Sequence, residues 1–198
     1  MLTSKQIKII RSIFPKKISS EFMQILIENA RIFTSKKNDV LVEEKAQSSK
    51  IFYILKGSMV RYVLTERGDR RAIMFHSEDL IPIVGSVYIN SHNSFVQYQI
   101  VANESTEVLE INILDILKSG LKDEVYFEFA LKGSLKSFGL MNQIQNHQIG
   151  LSKIEFLKWL WLNYPDIFHR FKSQDIASFL GLTPVWYSNL KATLLRDK

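Results

Sequence analysis

Hydrophobic and polar positions change their period three times along the 198-residue chain. The first stretch is helical: Lys5 to Ile13 and Ser20 to Asn29 read as two short helices separated by Pro15, the second with Phe22, Ile25 and Leu26 on one face. From Ala30 to Asn112 short β-type runs alternate with polar turns, at Val40–Val42, Ile51–Leu55, Met59–Leu64, Ala72–Phe75, Leu80–Val84, Phe95–Val101 and Val108–Ile111. Short strands at near-regular spacing predict a sandwich or barrel. Gly57 and Gly68 fall where hairpins must reverse.

Beyond Asp123 the period is helical and long. Tyr126, Ala130, Gly133, Ser137, Leu140 and Ile144 recur at three- and four-residue steps, and Phe127, Leu131, Leu135, Phe138 and Met141 do the same on another face. A helix with two apolar faces needs two partners. The barrel can be one and a second copy of the chain the other, with Ala130, Gly133 and Ser137 small enough to let two backbones approach. A further helix, Ser152 to Asn163, carries Phe156, Leu157, Leu160 and Trp161, and Pro165 ends it.

The last 26 residues, 173–198, read as two helices joined by one glycine. Ser173 is placed to cap the first, which carries Ile176, Ala177 and Leu180 on one face, and Gly181 supplies the turn. Thr183 is placed to cap the second, with Pro184 at its first position where the missing N–H costs nothing. This is the spacing of a helix-turn-helix, whose second helix offers its first turns to the major groove. The candidate DNA contacts are Thr183, Val185, Trp186, Ser188, Asn189 and Lys191. Asn189 and Val185 are expected to face bases, Thr183 and Lys191 phosphates, and Tyr187 the helix packing. An ordinary helical hairpin satisfies the same spacing.

Composition narrows the choice. With 46% hydrophobic and 12% aromatic residues the chain can bury a proper core. The net charge of +6 permits a polyanionic partner, although residues 151–198 hold only 7 Lys/Arg against 4 Asp/Glu. The basic set Lys5, Lys8, Arg11, Lys16 and Lys17 offers contacts to DNA or RNA polymerase, but a solvated helix face explains it more simply. Absence of cysteine excludes disulfides, thiolate metal sites and thiol nucleophiles. No apolar run reaches the roughly 18 residues of a membrane span, and a soluble, cytoplasmic protein is expected. His76, His92, His147 and His169 lack metal-ligand spacing, and no phosphate loop or nucleophile elbow is present, so no metal, cofactor or enzymatic activity is expected.

Residues 51–62 (IFYILKGSMVRY), the hairpin at Gly68 and residues 175–184 (DIASFLGLTP) together resemble the Crp/Fnr family of bacterial transcription regulators. The resemblance spans nearly the whole chain. It implies an α+β protein: a cyclic-nucleotide-binding-type β-barrel or jelly roll over 1–122, a long dimerisation helix over 123–149, and a helix-turn-helix domain over 150–198. It also implies a homodimer on duplex DNA. Two departures qualify it. The tail resembles the branch of the family whose recognition helix opens with Thr-Pro, and where that branch usually places arginines this chain has Tyr187-Ser-Asn-Leu-Lys191, so a guanine-reading Arg fork gives way to Asn189, which suits adenine or a phosphate. The nucleotide cassette, residues 78–95, lacks the arginine that offsets a cyclic phosphate, and no Lys or Arg lies between Arg71 and Lys118. Neither cAMP nor cGMP is therefore expected as effector, whose identity stays open. By correspondence, Gly85, Ser86, Asn93, Ser94 and Gln97 would line any pocket. The alternative function is a sensing or protein-interaction module whose helix-turn-helix is vestigial.

Overall fold

In a computed structural model, which describes residues 2–46, 48–85 and 96–196, alternation along eight strands builds two four-stranded antiparallel sheets with one interior. Their elements are β1 (Ala30–Ser35), β2 (Val40–Val42), β3 (Lys50–Lys56), β4 (Ser58–Leu64), β5 (Arg70–Ser77), β6 (Ile83–Gly85), β7 (Gln99–Ala102) and β8 (Thr106–Asn112). One sheet runs β1-β8-β3-β6 and the other β2-β7-β4-β5. Phe52, Ile54 and Val108 of the first sheet meet Met59, Val42 and Ile100 of the second in the shared core. Gly57 joins β3 to β4 at φ 111°, where a Cβ would also stand 2.7 Å from the Thr106 backbone, so glycine is required twice over.

Each sheet is also covered on its outer face. Helices α1 (Ser4–Ile13) and α2 (Ser20–Glu28) lie over the first, burying Ile10, Phe22 and Leu26 with Ile32, Leu109 and Ile111. Thr3 and Gln6 form a capping box at α1, and Ser19 caps α2. A short helix α3 (Ile113–Lys118) leads to α4 (Glu124–Gly150), capped by the Asp123 carboxylate, which accepts from Tyr126 N at 2.9 Å. Asp123 also accepts from Ser19 N at 2.8 Å, tying α2 to the start of α4. Over the second sheet lie α5 (Lys153–Asn163), α6 (Asp166–Arg170), α7 (Ser173–Leu180) and α8 (Pro184–Arg196). Val60, Tyr62, Phe75 and Val101 of that sheet share a core with Phe156, Phe171, Phe179 and Tyr187. The chain is thus layered helices, sheet, sheet, helices, with α4 joining the outer layers.

The structure differs from the sequence expectation in several places. Strand β1 and helices α3 and α6 were not expected, and β6 begins at Ile83 rather than Leu80. Ser173 is not the cap of α7: Lys172 occupies that position without a side-chain cap bond, and Ser173 is the first helical residue.

Candidate nucleic-acid interface

The turn between α7 and α8 is set by Gly181, at φ 70°, which lets Leu182 N return to Ala177 O at 2.9 Å. Ala177 is fully buried, leaving room for the crossing helix. Thr183 Oγ1 accepts from Trp186 N at 3.3 Å, so it caps α8 at Pro184 as its spacing indicates. Tyr187 is 2% exposed and anchors α8 in the helical core, together with Leu194. Just before that anchor, Val185 and Trp186 stand 69% and 64% exposed. Thr183, Ser188 and Asn189 are exposed as well, whereas Lys191 is half-buried with its ammonium 6.0 Å from the Trp161 ring. A large aromatic and a branched apolar residue on solvent-facing first turns are what burial alone would not produce.

The helix pair is fixed to the second sheet rather than hung from a linker. Phe75 of β5 packs between Phe171 and Phe179, with ring centroids 4.6 and 5.1 Å away. Ala72 N donates to Ser178 Oγ at 3.1 Å. Beside this contact Arg170 bridges two barrel carboxylates, Glu78 at 2.8 Å and Glu104 at 2.7 Å, and its backbone carbonyl accepts from Asn103 Nδ2 at 3.0 Å. Burial raises the Glu78 pKa, but the Arg170 hydrogen bonds, the backbone amides of Glu78 and Gly57 and the Arg170 charge together outweigh it and hold the carboxyl below its ordinary value. Sequence reasoning missed Arg71, whose guanidinium reaches the Gly181 turn, 2.9 Å from where a Cβ would stand. It belongs to a strand, and only the docking brings it there.

Helix α4 carries two faces, and their roles are corrected. Tyr126 and Ile144 are buried and Ala130, Gly133, Ser137 and Leu140 half-buried against the chain's own body. A Cβ on Gly133 would touch Ile83 of β6 at 3.5 Å, so this stripe faces the barrel and not a second copy. The outward stripe is the other one, as far as Phe138: Phe127, Leu131, Leu135 and Phe138 are exposed, whereas Met141 is half-buried against the chain's own core.

Of the expected pocket residues, Ser86, Asn93 and Ser94 lie outside the described residues, as does His92. Gly85 ends β6, and its carbonyl accepts from the Tyr98 hydroxyl. Gln97 does not line the interior: it is exposed, in the bend before β7, between buried Val96 and Tyr98. Among the described residues no group of three or more His, Asp or Glu could hold a metal ion. No helix among them is long and apolar enough to cross a membrane.

No family model and no curated protein matches the sequence. Solved structures do match in fold. CooA from Carboxydothermus hydrogenoformans is similar with a TM-score of 0.67 at 15% identity, over 99% of this chain and 87% of that one. FixK2 from Bradyrhizobium japonicum gives 0.66 at 19% identity, over 85% of each chain. CLP, the c-di-GMP-responsive global regulator of Xanthomonas campestris, gives 0.66 at 11% identity, over 90% of this chain and 93% of that one. The chain therefore has the architecture of the Crp/Fnr regulators, a cyclic-nucleotide-binding-type domain followed by a C-terminal helical domain, at identities that speak for fold alone.

Proposed function

We propose that this chain is a homodimeric, DNA-binding transcription regulator of the Crp/Fnr type that reads duplex DNA with the first turns of α8 and does not answer to cAMP or cGMP. The observation that carries the reading is the division of labour on α8: Tyr187 is buried while Val185, Trp186, Ser188 and Asn189 are presented to solvent behind the Thr183 cap. Phosphates take Thr183 and Lys191, and base edges take Asn189 and Val185. The outward stripe of α4 supports a twofold partner, since Phe127, Leu131, Leu135 and Phe138 form one apolar face along one helix. The cassette stretch, without a Lys or Arg between Arg71 and Lys118, supports exclusion of the two cyclic nucleotides.

Titration of fragments of its own promoter at several salt concentrations tests the reading. Phosphate contacts release counterions, so affinity should fall steeply with added salt. Salt-insensitive or absent binding would favour a sensing or protein-interaction module with a vestigial helix-turn-helix. One observation points toward that second reading: within α8 only Lys191 and Arg196 are cationic.

A further inference from the structure

On the inward side of β4, outside the cassette, stands a half-buried cation, Arg61. On β4, Met59 and Arg61 share a face, being two residues apart. Met59 is opposite His76 of β5, and Arg61 is opposite Ile100 of β7. Met59 and Ile100 belong to the shared apolar core, so Arg61 and His76 point into it from adjacent strands, as diagonal neighbours. The Arg61 guanidinium stacks 3.9 Å from the centre of the Tyr98 ring. Its Nε is buried without a hydrogen-bond partner, and no carboxylate among the described residues forms an ion pair with it. Arg61 is half-buried as a residue, and it is this Nε–H, shut off from solvent, that lacks an acceptor.

His76 is 2% exposed. Its Nδ1 lies 3.2 Å from the Ile81 carbonyl, which can only accept, so Nδ1 carries the proton and Nε2 presents a lone pair. That Nε2 is also buried without a partner. Burial and the nearby Arg61 charge hold its pKa near 3, so the ring is neutral at ordinary pH. The two buried, unpartnered nitrogens are complementary: a cationic N–H donor on Arg61 and an acceptor on His76.

We infer that Arg61 and His76 form a binding site for a small protonated oxyanion, of which a hydrogen phosphate group, free or as the head of a monoester, is the simplest. The anionic oxygen accepts from Arg61, and the ligand's own O–H donates to His76 Nε2. Tyr98 holds the guanidinium plane in place. The site is independent of the DNA reading: it stands on β4 and β5, and its test involves no nucleic acid.

The test follows the Arg Nε–Hε and His ring signals of nitrogen-15-labelled, full-length protein at about pH 6, where roughly half of a monoester keeps its proton. Inorganic phosphate, methyl phosphate and sulfate are titrated separately. Phosphate should move the Arg61 and His76 signals together and saturate. Sulfate has no proton to offer and should bind about tenfold more weakly, the factor expected of one hydrogen bond. Methyl phosphate binding as tightly as phosphate identifies a monoester head, and binding of phosphate alone identifies the free ion. Arg61→Met should abolish the His76 response, and His76→Phe should reduce phosphate to the level of sulfate. If either variant fails to fold, the wild-type contrast between phosphate and sulfate decides. The inference is overturned if neither phosphate nor methyl phosphate moves the Arg61 signal, if sulfate binds as well as phosphate, or if shifts are confined to the helix-turn-helix.

Discussion

A neutral histidine in an apolar core makes stability depend on pH in one direction. Burial first, then the Arg61 charge, lowers the His76 pKa from 6.5 to about 3, while the Ile81 carbonyl acts the other way. Between those values the unfolded chain binds the proton and the folded chain does not, so acid favours unfolding. The contribution is fully present above about pH 6.5 and is lost as pH falls, by up to about 1.4 kcal/mol per pH unit. Denaturant melts between pH 7 and 5 should show this slope in wild type and a flatter one in His76→Gln. Equal slopes would place the dependence elsewhere. On α8 the side chains divide in the same concrete way. Asn189→Ala should alter preference among DNA sequences, by about 1 to 3 kcal/mol at a single base position. Lys191→Ala should weaken all sequences alike and reduce the salt slope. A selection experiment on randomised duplexes with both variants reads the difference.

Elements were legible where a residue type has one conformational job. Gly181 in the left-handed region and Thr183 before Pro184 were placed by capping and turn chemistry, and the structure puts them there. Elements of five or six residues, such as α3 and α6, are too short to display a period. Arg61 was hidden for another reason: Met59 to Val63 is apolar on both sides of the strand, so only register reveals which way the charge turns. Helix α4 shows the limit most clearly. Two apolar stripes at the same period carry no label saying which meets the barrel, and Gly133, one of the small residues that suggested a second helix, lies against Ile83 instead. Gly133→Ala should therefore be tolerated, gaining up to about 1 kcal/mol of helix propensity, and should leave oligomeric state unchanged. Gly133→Leu should overfill the contact and cost about 1 to 3 kcal/mol. Thermal melts with light scattering separate these from a dimerisation effect.

At the scale of the whole molecule, orientation of α8 is set by the sheet beneath it and, in the proposed dimer, by the partner across α4. The first is apolar around Phe75 and pinned by Arg170, so Arg170→Ala should leave Glu78 and Glu104 unpaired at the junction. The trio is partly exposed, and solvent screening limits the cost to the order of 1 to 2 kcal/mol. In that proposed dimer the second surface governs affinity. A twofold pair should set its recognition helices about 34 Å apart, one DNA turn, so that once one half is bound the other binds as if at millimolar concentration. Leu135→Glu places a charge on the outward stripe, away from the barrel and from α8, and should yield a folded monomer by light scattering. Its affinity for a two-half-site duplex should fall by about 100- to 10,000-fold. Its salt slope should drop to about half, because half as many phosphates are neutralised per binding event. A variant that is monomeric yet binds as tightly as wild type would show that each helix-turn-helix acts alone. One that stays dimeric would move the twofold contact off α4.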